Sequence, residues 1–154
     1  MDVVRGKING SDKRIAIILS LFNEFVGQKL LDGTLASLKE NKVNEENIDI
    51  YKVPGAFELP VTADKLASLK KYDAIICLGA VIRGGTPHFE YVAGAASNGI
   101  LEVSLKYQLP VIFGVLTTDT MEQAIERAEI KGENKGRDVA LTALEMSDLF
   151  GNLK

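Results

Sequence analysis

The sequence contains few of the residues on which disulfide-rich and zinc-binding proteins depend. Its 154 residues include one cysteine, Cys77, and one histidine, His88, and no tryptophan. A lone cysteine excludes a disulfide framework within the chain, and together with a lone histidine it excludes a zinc site built from these two residue types. We therefore expect a reduced protein of the cytoplasm, in which Cys77 is an ordinary core residue.

The chain also lacks an excess of positive charge and any long apolar run. It has 18 Lys and Arg residues against 21 Asp and Glu residues, for a net charge of −3. Binding to nucleic acid depends on neutralising phosphates, so this charge argues against nucleic acid as the main partner. No apolar stretch approaches the ~20 residues of a membrane helix, and the polar start of the chain is unlike a signal peptide. A hydrophobic content of 46% predicts a globular domain without a membrane partner.

Apolar runs alternate with helical periodicity along the chain. Short runs rich in β-branched residues predict four strands, at 14–20, 48–53, 72–80 and 111–116. Apolar residues spaced three and four apart predict helices near 26–38, 58–69, 89–105, 120–130 and 138–150. This alternation predicts an α/β fold, a three-layer flavodoxin-like sandwich whose four-stranded parallel sheet has the order 2-1-3-4 and helices on both faces. We assign it to one domain, 14–154, preceded by an N-terminal arm, 1–13.

In such sheets, ligands bind beyond the carboxyl ends of the strands, where the winding reverses between strands one and three. The loops at that point are 21–23 and 80–88, with 54–58 beside them. Two familiar kinds of protein with this fold do not fit these loops. The loop after strand one is too bulky to hold the phosphate of a flavin nucleotide. Strand three ends without the aspartate that a phospho-acceptor receiver domain needs.

The loop after strand three predicts an anion site. Two consecutive glycines, Gly84 and Gly85, let backbone N–H groups turn toward an anion, Thr86 adds a hydroxyl donor, and a helix begins just beyond. His88 lies beside them, and an imidazole can exchange protons near neutral pH. The alternative interpretations are a flexible turn and a surface or capping histidine.

Aromatic side chains near strand ends are further candidates. Phe22, Phe57 and Phe113 follow or lie near the ends of strands one, two and four. Each ring could stack on a planar heterocycle or pack into the core. Glu58 could hydrogen-bond a polar substrate edge or complement a helix dipole.

Basic residues collect late in the fourth helix and just after it. Arg127, Lys131 and Lys135 could bind a phosphate held by a neighbouring subunit. The alternative is an ordinary solvated helix end, where cations complement the dipole.

Seven segments of the chain resemble the lumazine synthase (6,7-dimethyl-8-ribityllumazine synthase) family, in one register from about residue 14 to residue 150. They are Phe22-Asn23, 53–60, 71–76, 79–92, 113–118, 122–128 and 134–136. The segment 79–92, which reads GAVIRGGTPHFEYV, is a specific signal, unlike a lone pair of glycines.

The resemblance implies a transferase that makes 6,7-dimethyl-8-ribityllumazine in the penultimate step of riboflavin biosynthesis. The amine 5-amino-6-ribitylaminouracil condenses with 3,4-dihydroxy-2-butanone 4-phosphate, phosphate is eliminated, and the second ring closes with loss of water. No metal or organic cofactor is implied. His88 and Arg127 match the catalytic residues, with His88 shuttling protons. Phosphate is held by Gly85, Thr86 and Arg127.

The same resemblance implies a pocket for the aminouracil and its ribityl chain. That pocket is formed by Phe22, Asn23, Ala56, Phe57, Glu58, Ala80, Val81, Ile82, Phe113 and Lys135. Phe22 stacks on the ring, and Glu58 accepts a hydrogen bond from the ribityl chain. By analogy, Phe113, Arg127 and Lys135 come from an adjacent subunit.

The family forms homopentamers, some of which assemble into icosahedral shells, and an association with riboflavin synthase stays open. The arm, 1–13, would add a strand to a neighbour's sheet, and the small-residue segment 92–100 would pack inside the pentamer. Shell-forming members usually carry Gly-Thr-Lys-x-Gly-Asn between the last two helices, whereas residues 129–134 read EIKGEN. The choice between pentamer and shell therefore also stays open.

Two alternative functions remain. An archaeal-type riboflavin synthase shares this fold but acts on two lumazines and binds no phosphate. A non-catalytic lumazine- or flavin-binding shell protein would bind a ligand without releasing phosphate. Turnover of the phosphorylated butanone separates these functions from the synthase.

Overall fold

Strands and helices alternate along residues 1–153, the part of the chain that the computed structural model describes. The strands are β1 (Ile15–Ser20), β2 (Ile48–Val53), β3 (Ala74–Ile82) and β4 (Val111–Thr118). The α-helices are α1 (Glu24–Glu40), α2 (Leu59–Ser68), α3 (His88–Tyr107), α4 (Met121–Ala128) and α5 (Lys135–Gly151). Short 3-10 turns precede β2 (Glu45–Asn47) and α2 (Ala56–Glu58).

The strands form one parallel sheet in the order β2-β1-β3-β4, which confirms the predicted topology. All six residues of β1 are buried, as expected for a central strand with helices on both faces. Isoleucines lie side by side across the sheet, because Ile17 of β1 pairs with Ile50 of β2 and with Ile76 of β3. β2 is an edge strand, and of its six residues only Val53 is buried.

Alternate residues of the strands pack into two cores, one on each face of the sheet. On one face, Ile17 and Leu19 of β1 pack with apolar residues of α1, α4 and α5. On the other face, Ala16 and Ile18 pack with apolar residues of α2 and α3. Cys77 is wholly buried in this second core, where burial raises the pKa of its thiol to about 12. It is an ordinary core residue, as predicted, because a thiol held in its neutral form is a poor nucleophile.

The ends of β3 and β4 differ from the prediction. The apolar run begins at Tyr72, but the first residue of β3 is Ala74, which pairs with Ile15 of β1. At the other end the ladder continues until Ile82 pairs with Thr118. Periodicity marks the buried part of a strand, whereas its ends depend on the neighbour with which it pairs. The sheet therefore ends immediately before the glycine-rich loop.

Two helix starts show how local sequence sets the boundaries. α4 has a capping box, in which Thr120 Oγ1 accepts from the amide of Gln123 and the Gln123 side chain accepts from the amide of Thr120. α5 begins earlier than predicted because Asn134, in a left-handed conformation, caps it by accepting from the amide of Arg137 at 3.2 Å. Within residues 1–153, no helix has the length and apolar character needed to cross a membrane.

The N-terminal arm forms neither a strand nor a helix and packs against α5 of its own chain. The amide of Lys7 donates to Asp148 Oδ2 at 2.7 Å. Gly6 lies so close to the helix that a β-carbon there would come within 1.9 Å of the carbonyl oxygen of Glu145. Val3, nearer the start of the arm, is 89% exposed. The arm is therefore fastened at its middle and uncovered at its start.

Candidate active site

The first loop of the site is positioned by the ladder between β1 and β2, which runs on past the ends of both strands. The amide of Leu21 donates to the carbonyl of Val53 at 2.8 Å, and the amide of Phe22 donates to that of Pro54 at 3.1 Å. These bonds place Phe22 beside the turn that follows β2. Phe22 is 70% exposed, so the alternative interpretation of core packing is wrong for this ring.

Asn23 joins this loop to the end of β3. Its backbone is left-handed, with a φ of 61°, and its carbonyl accepts from the amides of Val26 and Gly27 at the start of α1. Its side-chain Nδ2 donates to the carbonyl of Ala80 at 3.0 Å. The amide that was predicted to contact substrate is thus bonded to the protein across the switch point of the sheet, and it holds Phe22 in place relative to Ala80.

Glu58 follows a turn in which Gly55 lies close to the Glu58 carboxylate. The amide of Glu58 donates to the carbonyl of Gly55 at 3.2 Å, and Glu58 Oε1 lies 3.2 Å from the place where a β-carbon of residue 55 would be. A side chain at residue 55 would therefore press on the carboxylate. The carbonyl of Glu58 accepts from Thr62 Oγ1 at 2.9 Å in the first turn of α2. Turn and helix together hold the half-buried Glu58 in position.

The loops at this edge of the sheet enclose a cavity of about 690 Å³. Nine predicted site residues line it: Phe22, Ala56, Phe57, Glu58, Ala80, Val81, Ile82, Thr86 and His88. The other lining residues are Pro54, Gly55, Gly84, Phe89, Tyr91 and Val92. Aromatic and aliphatic groups surround a carboxylate, a hydroxyl and an imidazole, which is the usual composition of a small-molecule site. Phe57 is 61% exposed, so its ring, like that of Phe22, is available to a ligand.

The loop between β3 and α3 presents uncovered backbone. Neither Gly84 nor Gly85 has a positive φ, and within residues 1–153 no atom beyond the adjacent residues lies within 4 Å of where a β-carbon would be at either position. The backbone conformation therefore does not require glycine, and the expectation that glycine is needed to turn the N–H groups toward an anion is wrong. What the two glycines provide is access to the peptide groups. Thr86 Oγ1 accepts from the amide of His88 at 3.4 Å, and His88 begins α3. Backbone N–H groups, a hydroxyl and a helix start can together hold an anion.

A sequence model of 6,7-dimethyl-8-ribityllumazine synthase matches residues 12–151 of the 154-residue chain. The chain belongs to the 6,7-dimethyl-8-ribityllumazine synthase family. The resemblance carried by residues 14 to 150 is therefore confirmed. The chain is a transferase of riboflavin biosynthesis that forms 6,7-dimethyl-8-ribityllumazine from small-molecule substrates, and its family assembles into oligomers. Neither alternative function is favoured by this match.

Five residues that the resemblance predicts for the site do not line this cavity: Asn23, Gly85, Phe113, Arg127 and Lys135. Phe113 is the third residue of β4, pairs with Cys77, and is 37% exposed. The prediction that it lies near the end of strand four is wrong, because β4 continues to Thr118. The ring is on an accessible side of the strand, so it is not a core residue either.

The two basic residues lie on the last two helices. Arg127 Nη1 donates to the carbonyl of Gln123 at 3.3 Å, and Arg127 Nε lies 3.8 Å from Glu133 Oε2. The Arg127 side chain is 44% exposed, so this long contact leaves the guanidinium accessible. Lys135 is the first residue of α5. In a lumazine synthase subunit taken alone, neither group reaches the cavity wall.

Three cavity residues in the first turn of α3 were not assigned to the site by sequence: Phe89, Tyr91 and Val92. Phe89 and Val92 both pack against the core. Helical spacing shows that a side chain is covered, but it does not show that the same turn also borders a cavity. Their nearness to His88 was the signal that could have found them.

Proposed function

We propose that this cavity binds both substrates of 6,7-dimethyl-8-ribityllumazine synthesis. Phe22 stacks on the pyrimidine ring, and Glu58 accepts a hydrogen bond from the ribityl chain. The walls are formed by Ala56, Phe57, Ala80, Val81 and Ile82. The observation that supports the proposal is that nine residues from four separate segments of the sequence line one cavity. Residues so far apart in the chain come together here because the strands that carry them end at one edge.

We also propose that the loop before α3 holds the phosphate of the butanone substrate. The amide of Gly85 and the hydroxyl of Thr86 donate to it, and Arg127 of an adjacent subunit adds a guanidinium fork. Phosphate leaves more readily when its charge is held, and one cavity for two substrates replaces a bimolecular encounter. His88 moves the protons that condensation, elimination and ring closure require.

We propose that the site is completed between subunits of a homopentamer. Phe113, Arg127 and Lys135 are not lining residues of the cavity in their own chain. These side chains do not reach the cavity of their own subunit, but they can reach the cavity of an adjacent copy. Asn23 contributes through its bond to Ala80 rather than through a free amide.

An exposed stripe on α3 supports assembly through this helix. Tyr91, Leu101 and Leu105 are 72%, 57% and 69% exposed. Together with Gly94 and Asn98 they recur at spacings of three and four, the pattern of a helix that packs along another helix. We refer to these five residues as the α3 stripe. Gly94 allows a neighbouring helix to approach the backbone closely.

The arm is proposed to extend the sheet of a neighbouring subunit. β2 is an edge strand, its outer backbone groups are unpaired within the sheet, and Ile50 is 41% exposed. The start of the arm carries exposed valines that could cover such an edge. We place the pentamer in the cytoplasm. Sedimentation velocity separates a pentamer from a shell of pentamers and shows whether riboflavin synthase co-sediments.

Activity is tested with the two purified substrates. The expected result is the absorbance of the lumazine product together with release of one phosphate per turnover. An archaeal-type riboflavin synthase would consume lumazine without phosphate release, and a carrier protein would show binding without either product. Absence of phosphate release from the pure protein contradicts the proposal.

Hybrid oligomers test the shared site. His88→Ala and Arg127→Ala are each expected to lower activity, because each variant removes one of the two side chains that every site needs. In a one-to-one mixture refolded together, about a quarter of the sites combine an intact His88 with an intact Arg127 from the next subunit, so about a quarter of the activity returns. The unmixed variants, treated identically, are the control. A mixture no more active than the average of its components would show that both residues serve the site from one chain.

A further inference from the structure

Arg83 lies between β3 and the glycine-rich loop and contacts three other parts of this edge. Its amide donates to the carbonyl of Thr118 at 2.8 Å, which continues the ladder between β3 and β4. Its Nε donates to Asp119 Oδ1 at 2.9 Å, and its Nη1 donates to Glu90 Oε1. Its guanidinium carbon lies 4.4 Å from the centre of the Phe89 ring. One side chain therefore ties the end of β3 to the end of β4 and to the first turn of α3.

The bond to Glu90 closes the loop at its base. Six residues, 84–89, separate Arg83 from Glu90. Within the described part of the chain, the loop has little bonding of its own. The amide of His88 donates to Thr86 Oγ1 at 3.4 Å, and the amide of Glu90 donates to the carbonyl of Pro87 at 3.1 Å. The shape of such a loop depends on where its two ends are held.

The cluster is not itself an anion site. Arg83 faces two carboxylates, so one positive charge and two negative charges leave the group net negative. The hydrogen bond from Arg83 holds the pKa of the Glu90 carboxyl below its ordinary value, and bonds to Glu90 and Asp119 raise the pKa of Arg83. Arg83 and Glu90 therefore stay charged at neutral pH. Their side chains are 45%, 54% and 68% exposed, so the ion pairs add little to global stability.

We infer that Arg83 is a positioning residue for the loop that holds the substrate phosphate. We call Arg83, Glu90 and Asp119 the Arg83 clamp. By holding both ends of the loop and the Phe89 ring, the clamp keeps the amide of Gly85 and the hydroxyl of Thr86 directed at one point. This inference rests on the proposed function, in which that loop binds phosphate. Arg83 itself does not touch the substrate.

Arg83→Met removes the clamp and keeps the length of the side chain. The KM for the phosphorylated butanone should rise roughly tenfold, and competitive inhibition by inorganic phosphate should weaken in parallel. The KM for the aminouracil should change less than about twofold, because Phe22 and Glu58 are held by other bonds. Arg83→Lys should recover part of the loss, since an ammonium group reaches one carboxylate but not both. Equal changes in the two KM values, or none, would overturn the inference.

A double variant separates position from charge. Arg83→Met leaves two carboxylates near a phosphate site, which could repel the ligand without moving the loop. Arg83→Met with Glu90→Gln restores the net charge of the natural cluster but not the bond. The clamp predicts that the double variant stays as impaired as Arg83→Met, and that Glu90→Gln alone also weakens phosphate inhibition. Recovery in the double variant would mean that charge, not position, is responsible.

Two further variants complete the design. Lys106→Met removes an exposed ion pair to Asp64, 3.1 Å long and far from the loop in sequence, and should leave both KM values and phosphate inhibition unchanged.

Thr86→Val tests the proposed function itself. If Thr86→Val leaves phosphate inhibition intact, the loop is not the phosphate site and the proposed function fails. If Thr86→Val weakens it and Arg83→Met does not, the Arg83 clamp alone fails. Thermal melting of each variant checks folding.

Discussion

Phe22 and Asn23 are adjacent in the sequence, yet they contribute to the site in different ways. The Phe22 ring is mostly exposed, whereas the Asn23 amide is bonded to Ala80. A solvent-exposed ring adds little to the free energy of unfolding, and its face is free to stack on a ligand. An amide that bridges a loop and a strand contributes to stability and to the position of its neighbour. Substitutions at these two residues should therefore affect different measurements.

Phe22→Ala should leave folding intact and weaken substrate binding. We expect the KM for the aminouracil to rise roughly tenfold, which corresponds to a stacking contact of about 1.4 kcal/mol. The free energy of urea unfolding should change by less than about 0.5 kcal/mol, because the ring is exposed. Leu30→Ala is the matched control, and loss of this wholly buried side chain should cost about 2–5 kcal/mol. A large loss of stability in Phe22→Ala with an unchanged KM would contradict this assignment.

Asn23 combines a side-chain hydrogen bond with a left-handed backbone. Asn23→Ala loses the bond and strains the backbone, so we expect a loss of about 2 kcal/mol in urea unfolding. Asn23→Gly loses the bond but tolerates a φ of 61°, so its loss should be half as large, about 1 kcal/mol. Both variants should raise the KM for the aminouracil, since Phe22 is no longer held. Equal stabilities for Asn23→Ala and the natural protein would exclude the bond as a structural contact.

At the scale of elements, the edge strand β2 is fastened to the start of β3 by a polar network. Tyr72 donates to Asp49 Oδ2 at 2.6 Å, and its hydroxyl also contacts that of Tyr51. Lys71 Nζ lies 3.2 Å from Asp49 Oδ2. The bond from Tyr72, and then that from Lys71, hold the pKa of the Asp49 carboxyl below its ordinary value. Burial and the bond to Asp49 raise the pKa of Tyr72.

This network predicts how stability depends on pH. The folded-state pKa of Asp49 lies below its unfolded value, so its contribution is complete above about pH 4 and is lost as the pH falls through the folded-state value. The melting temperature of the natural protein should therefore fall more steeply below about pH 4 than the melting temperature of Asp49→Asn. Asp2→Asn, in the exposed start of the arm, is the control and should follow the natural protein. Parallel curves for Asp49→Asn and the natural protein would show that the network does not couple folding to pH.

At the scale of the whole molecule, the α3 stripe is the surface through which we propose that the subunits pack. Leu101→Lys places a charge in the middle of the stripe. If α3 packs against other copies, buried like charges should oppose assembly, and sedimentation velocity should show a shift from the proposed pentamer to smaller species. Leu69→Lys makes the same change at a leucine just beyond α2 that is 54% exposed, and it should sediment as the natural protein does. An unchanged sedimentation coefficient for Leu101→Lys would place the interface elsewhere.

The sequence by itself determined the order of the elements, the sheet order and the region of the site. Apolar periodicity reports which side chains are buried, and a strand such as β1, buried on both faces, is recognisable without its neighbours. Right-handed crossovers leave few ways to connect four such strands, so the switch point follows. The capping box of α4 can be recognised from the sequence for a similar reason, because Thr120 and Gln123 are three residues apart.

The tertiary structure decided the contacts between residues that are distant in the chain. Asn23 bonds to Ala80, 57 residues away, and Arg83 bonds to Asp119, 36 residues away. Neither pair could be read from spacing, because each depends on which strand ends lie next to each other. The end of β4 beyond Phe113 was decided in the same way, by the length over which two strands pair. Local sequence determines what each segment can form, whereas the packing of the segments determines which side chains meet at the cavity.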